Sequence, residues 1–140
     1  MSAEDNKALA RRIAEEVWSK GNTDAIDEFF AQDYIDHSPA PGYPPDRNGL
    51  KQWVRAIHDA APDLNMTVDE VVAEGDMVVT RWTNRGTHKG EFMGVPATNK
   101  QVQVPGISMA RIEDGRVKED WAQWDALGLL QQLGALPDQT

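Results

Sequence analysis

Between Glu119 and Asp125 the chain sets three carboxylates and two tryptophans within seven residues, Glu-Asp-Trp-Ala-Gln-Trp-Asp. A carboxylate held among aromatic rings is stripped of water. That raises its pKa toward the range where one group can both take and give a proton near neutral pH. On a strand, side chains alternate, so Asp120, Ala122 and Trp124 share one face and Glu119, Trp121 and Gln123 the other. Asp120 is the first candidate acid–base residue and Glu119 the alternate, and the choice rests on which face turns inward. Asp125 has a plainer use as the N-cap of the helix that follows.

The three histidines, His37, His58 and His88, are the other proton carriers that work near neutral pH. His37 closes the segment Asp-Tyr-Ile-Asp-His before a proline-rich stretch and is the candidate catalytic partner of the carboxylate. It is equally placed to hydrogen-bond the backbone of that stretch. His58 falls late on an amphipathic helix and reads as surface. His88 lies in a glycine-bounded turn, Gly-Thr-His-Lys-Gly. No His-x-His, His-x-x-x-His or His-Glu-x-x-His spacing occurs, so no metal site is expected. There is no phosphate loop and no Gly-x-Ser-x-Gly elbow.

Five tryptophans in 140 residues fit a large core and also an aromatic-lined cavity. The expected lining is Trp18, Tyr34, Trp53, Ile57 and Trp82, with His88, Phe92, Met109, Trp121 and Trp124. Arg81 and Trp82 are neighbours on a strand, so one faces inward, and the indole is the ordinary choice.

The elements that must position these groups follow from periodicity. Leu9, Ile13 and Val17 mark a helix over 3–19, stopped by Gly21. A short helix spans 24–30. Ser38 to Asn48 holds four of the eight prolines and is a loop. Asp46 or Asn48 caps a third helix running to about Ala60. Strands follow over 66–73, 77–83, 101–112 and 117–124, with a kink expected at Pro105-Gly106 and a tight hairpin at Glu113-Asp-Gly-Arg116. A last helix after Asp125 is closed by Gly134 and Pro137. Helices followed by antiparallel strands give an α+β order, with residues 1–140 as one domain.

The net charge of −9, without a basic block, argues against nucleic acid as a partner. No apolar run approaches the roughly 20 residues that cross a bilayer, and the polar start lacks a signal-peptide core, so a cytoplasmic protein is expected. There is no cysteine and hence no disulfide or thiolate metal site.

Several stretches, in order, resemble the SnoaL-like polyketide cyclases of the nuclear-transport-factor-2-like superfamily. They are Glu15-Glu-Val-Trp-Ser-Lys-Gly-Asn-Thr-Asp24, Asp33-Tyr-Ile-Asp-His37, Arg81-Trp-Thr, Gly86-Thr-His-Lys-Gly90, Gly94-Val-Pro-Ala-Thr98, Asp114-Gly-Arg-Val-Lys-Glu119 and Gly128-Leu-Leu-Gln-Gln-Leu-Gly134. The resemblance implies a cone of curved antiparallel sheet with helices on its concave face around a pocket. It also implies a small hydrophobic ligand, a homodimer and chemistry without a cofactor. Family cyclases close a ring by aldol condensation, using a histidine on the penultimate strand and an aspartate on the last. Here those positions hold Ser108 and Ala122, neither of them a general base. The expectation is therefore an acid–base enzyme of cyclase, isomerase or dehydratase type that relies on Asp120 or Glu119 with His37, or else a ligand-binding protein of the same fold.

Overall fold

The computed structural model describes residues 2–136; Pro137, expected to close the last helix, lies outside them. Helix α1 (Ala3–Ile13) begins at a capping box, with the Asp5 N–H bonded to the Ser2 hydroxyl and the Ser2 N–H to the Asp5 carboxylate. It continues as a π-helical turn over Ala14–Ser19 rather than as the α-helix its spacing predicts. The wider turn ends at Gly21, whose φ of 68° suits glycine. Helix α2 covers Asp24–Phe29, and α3 covers Arg47–Ala60, where the Gly49 N–H bonds Asp46 Oδ1 at 3.0 Å. Helix α4 (Ala126–Gln132) is capped by Asp125, which accepts from the Gly128 N–H at 2.8 Å.

Five strands form one curved, unclosed sheet: β1 (Phe30–Asp36), β2 (Asn65–Glu74), β3 (Met77–Thr87), β4 (Gln101–Glu113) and β5 (Arg116–Trp124), ordered β1-β5-β4-β3-β2. The sheet is mixed rather than wholly antiparallel. The segment Phe30–Asp36 is a strand that periodicity had not marked, and it runs parallel to β5, pairing Phe30 with Val117 and Asp36 with Asp120. A parallel pair needs a long crossover, and everything from α3 to β4 supplies it. The β4–β5 hairpin turns at Asp114 and Gly115, both at positive φ, as a two-residue type I′ turn requires.

At Pro105-Gly106, where a kink was expected, β4 stays paired with β3 through both residues without a shift of register. Gly106 has another use. A Cβ there would stand 2.3 Å from the Trp82 ring, so glycine opens the floor on which that indole lies.

The main core joins Leu9 and Val17 to Ile26, Phe29, Phe30, Tyr34, Leu50, Val54 and Val117. A second cluster, Val104 with Leu129 and Leu133, seats α4 against β4. The space between the two clusters remains open. No helix among the described residues is long and apolar enough to cross a membrane.

Candidate functional site in the cone

A cavity of about 220 Å³ lies between the sheet and the helices. Helix α1 and its π turn contribute Ala10, Ile13 and Trp18, and α3 contributes Leu50, Trp53 and Ile57. The proline-rich loop adds Ser38, Pro39, Tyr43 and Pro44. From the sheet come Thr80, Trp82, Ser108, Ala110, Asp120, Ala122 and Trp124. Tyr34, His88 and Phe92 complete the expected lining residues that reach it. Trp53 is the hub of an aromatic wall, with ring centroids 5.4 Å from Tyr43, 5.5 Å from Phe92 and 6.3 Å from Trp124.

The phase of β5 turns Asp120, Ala122 and Trp124 to the cavity. Asp120 accepts a 2.6 Å hydrogen bond from the hydroxyl of Tyr34, which is 2% exposed. Burial, first, and the like charge of Asp36 push the Asp120 carboxyl up to about 7, against the opposing effects of the Tyr34 hydrogen bond and of His37. The same burial and the Asp120 and Asp36 charges drive the Tyr34 hydroxyl far above its ordinary value, so it stays a donor. Asp36 also lines the cavity; burial raises its pKa, while the Ser38 N–H, donating to Oδ1 at 2.8 Å, partly offsets this. The Ser38 hydroxyl in turn accepts from the Ala122 N–H at 2.7 Å and ties the loop to β5.

Glu119 and His37 lie on the other face of the sheet, outside the cavity lining. The His37 ring stacks on Trp121 at 4.6 Å and its Nε2 is 2.8 Å from Glu119 Oε1. Arg111 Nε donates to Glu119 Oε2 at 2.6 Å, and that bond and His37 hold the Glu119 carboxyl below its usual range. An ionised, paired carboxylate at the surface is a poor proton acceptor. The structure therefore separates the three candidate catalytic residues: Asp120 is in the cavity, and Glu119 and His37 lie outside it, hydrogen-bonded to each other, with Arg111 paired to Glu119. Strand alternation also takes Trp121 and Met109 out of the lining, and Met109 is 38% exposed. Among the described residues, no cluster of His, Cys, Asp or Glu has the closeness to hold a metal ion.

His58 is not a free surface side chain. Its Nε2 donates to the Trp18 carbonyl at 2.6 Å, fastening α3 to the π turn that presents the Trp18 indole to the cavity. Arg81 faces outward toward Glu70 and Asp69 while Trp82 faces inward, donating from Nε1 to Ser108 Oγ at 2.9 Å.

Periodicity did not mark Asp36, Ser108 and Asn84 as lining residues, although all three reach the cavity. For Asp36 the missing signal was β1 itself. Once Phe30–Asp36 is a strand, Tyr34 and Asp36 fall on one face and must travel together.

Residues 8–133 match the family model of SnoaL-like polyketide cyclases. The chain is 28% identical over 133 residues to the aklanonic acid methyl ester cyclase DnrD of Streptomyces peucetius, covering 90% of this chain and 88% of the relative. It is 29% identical over 125 residues to the nogalonic acid methyl ester cyclase of Streptomyces nogalater, covering 84% and 90%. Among solved structures, TsrD from Streptomyces laurentii superposes with a TM-score of 0.88 at 29% identity over 97% of this chain and 99% of that one. IdmH, a putative polyketide cyclase from Streptomyces antibioticus, does so with a TM-score of 0.81 at 33% identity over 92% and 98%. The order of elements, the aromatic cavity and the match across nearly the whole chain agree: this chain belongs to the SnoaL-like polyketide cyclase family.

Proposed function

We propose that the chain is a cyclase-type enzyme that moves a proton next to a carbonyl of a hydrophobic small molecule, with Asp120 as the acid–base group. It would act without a cofactor, as a cytoplasmic homodimer. The observation that carries this reading is the Asp120 carboxyl, hydrogen-bonded by Tyr34 in an aromatic cavity and pushed up to about 7. A carboxylate with that pKa takes a proton from an activated carbon and returns it without a large penalty in either direction. Its carboxylate accepts the α-proton, leaving an enolate. The enolate either attacks a second carbonyl of the same molecule, closing a ring while the resulting alkoxide takes the proton back from the Asp120 carboxylic acid, or is reprotonated at another carbon by that same acid.

The enolate oxygen needs a donor. Ser108 supports that role. Its oxygen already accepts the Trp82 N–H, which leaves its own hydrogen to point elsewhere. It pairs across the sheet with Ala122, one inward step along β5 from Asp120.

Exchange of α-hydrogens for deuterium in flat aromatic methyl ketones, followed by NMR, tests the reading without the natural substrate. Asp120→Asn should lower the exchange rate at least about 100-fold while the thermal melt stays cooperative. Exchange at the wild-type rate in that variant overturns the assignment. A second reading, a carrier that binds and performs no chemistry, is favoured by one observation: Ser108 and Ala122, which stand where family cyclases hold their proton-transfer pair, are paired and face the cavity. Tight ketone binding with no exchange in the wild type would select it.

A further inference from the structure

Asp120 occupies one end of the cavity; the other end carries polar groups that the proton chemistry does not use. Asp120 lies in register with Ala110 and through it with Val78, whereas Asn84 stands six residues further along β3, about 20 Å of strand at roughly 3.3 Å per residue. Asn84 and His88 both line the cavity there. His88 is 4% exposed. Its Nε2 and the Asn84 Oδ1 are buried without a hydrogen-bond partner. The large majority of buried polar atoms in folded proteins have a partner, so two orphans in one cavity lining call for an explanation, and a bound ligand is one.

The tautomer of His88 follows from its other nitrogen. The backbone N–H of Thr98, which can only donate, points at Nδ1 at 3.2 Å, and Thr98 Oγ1 lies 3.0 Å from the same atom. The Thr98 hydroxyl oxygen itself accepts from the Lys100 N–H at 3.3 Å, so its hydrogen is free to point at Nδ1. Nδ1 is therefore an acceptor, and the ring hydrogen sits on Nε2. The ring is braced by the loop behind it and offers an unused donor, while Asn84 offers an unused acceptor.

Resting on the reading of the cavity as a ketone site, we infer that the Asn84–His88 end is a second recognition subsite, for an oxygen substituent carried by the ligand far from its reacting carbonyl. His88 Nε2–H donates to that oxygen. A hydroxyl also returns a hydrogen, which Asn84 Oδ1 lacks. The class of ligand is thus an elongated, flat, largely apolar ketone with a hydroxyl at its distal end. The indoles of Trp53, Trp82 and Trp124 line the same cavity. The distal oxygen then decides which way round the molecule enters and which carbon meets Asp120.

The test compares an acetylterphenyl, long enough with the reach of the side chains to span both ends, with its analogue hydroxylated on the terminal ring, titrated against the protein's tryptophan fluorescence. Wild type should bind the hydroxylated ketone roughly five- to tenfold more tightly. His88→Asn keeps an acceptor for the Thr98 N–H and removes the Nε2 donor; Asn84→Leu keeps the shape and removes the polar atoms. Either variant should lose most of that preference, read as the ratio of its own affinities for the two ketones, so that any change in general binding to the cavity cancels. A thermal melt of each variant confirms that it is folded. Equal affinity of wild type for both ketones, or a preference that survives in both variants, overturns the subsite and leaves the orphaned atoms to ordered water. If wild type binds neither ketone, the ligand reading of the cavity fails, and this inference fails with it.

Discussion

Asp120, Tyr34 and Asp36 act on one another, and their couplings have opposite signs. The Tyr34 hydroxyl favours the ionised form of Asp120, and the Asp36 charge disfavours it. Tyr34→Phe should therefore move the inflection of the pH–rate profile upward from its starting point near 7, and Asp36→Asn should move it downward. Deuterium exchange between pH 5 and 9 reads both, and shifts of the same sign in the two variants would break the assignment of that inflection to Asp120. The same group leaves a mark on stability. Its folded pKa of about 7 stands above the 3.8 of the free side chain, so the folded state holds the extra proton between those values. The stability this provides is complete below about pH 4 and is lost as the pH rises through 7. Urea midpoints of wild type should fall across that window relative to those of Asp120→Asn, whose side chain does not titrate. The candidate carboxylate was visible in the sequence because acids among tryptophans are unusual. Its partner was not: Tyr34 stands 86 residues away, on a strand that periodicity missed.

At the level of elements, the helices were easier to read than the sheet. Asp46 and Asp125 sit at helix starts as their residue type requires, and Asp-Gly in the last hairpin takes the positive φ angles it favours. Two elements escaped because their causes are tertiary. The π turn carrying Trp18 answers to the His58 bond and to Gly21, neither of which shows in an apolar period. Strand β1 is short, and its polar residues break the alternation by which a strand is recognised. The inward phase of β5 also lay beyond the sequence, since Glu119 and Asp120 are both plausible until the sheet's neighbours are known. The close contact of Gly106 with Trp82 gives a direct probe of the cavity floor. Gly106→Ala should lower stability by about 1–3 kcal/mol and weaken ketone binding, because the indole must leave its bond to Ser108. Thermal melts and the fluorescence titration measure the two effects.

For the whole molecule, the convex side of the sheet is the counterpart of the cavity. Ile107 is 47% exposed there and Met109 38%, beside Trp121 and the His37–Glu119–Arg111 cluster. Such a patch suits the proposed homodimer, which would cover it with a second copy of itself. Ile107→Glu should convert a dimer to a monomer in light scattering coupled to gel filtration, leaving the deuterium-exchange activity of the separate subunits measurable. A monomeric wild type would remove the homodimer from the proposal. The parallel seam between β1 and β5 has a consequence in time. Tyr34 is synthesised 86 residues before Asp120, so their bond closes a long loop. Contacts of that span form slowly and late. A nascent chain still short of β5 holds Tyr34 but not yet Asp120. Closing that seam both completes the sheet and brings the Tyr34 hydroxyl to the Asp120 carboxylate, so the proposed site cannot meet a ligand before the sheet is whole.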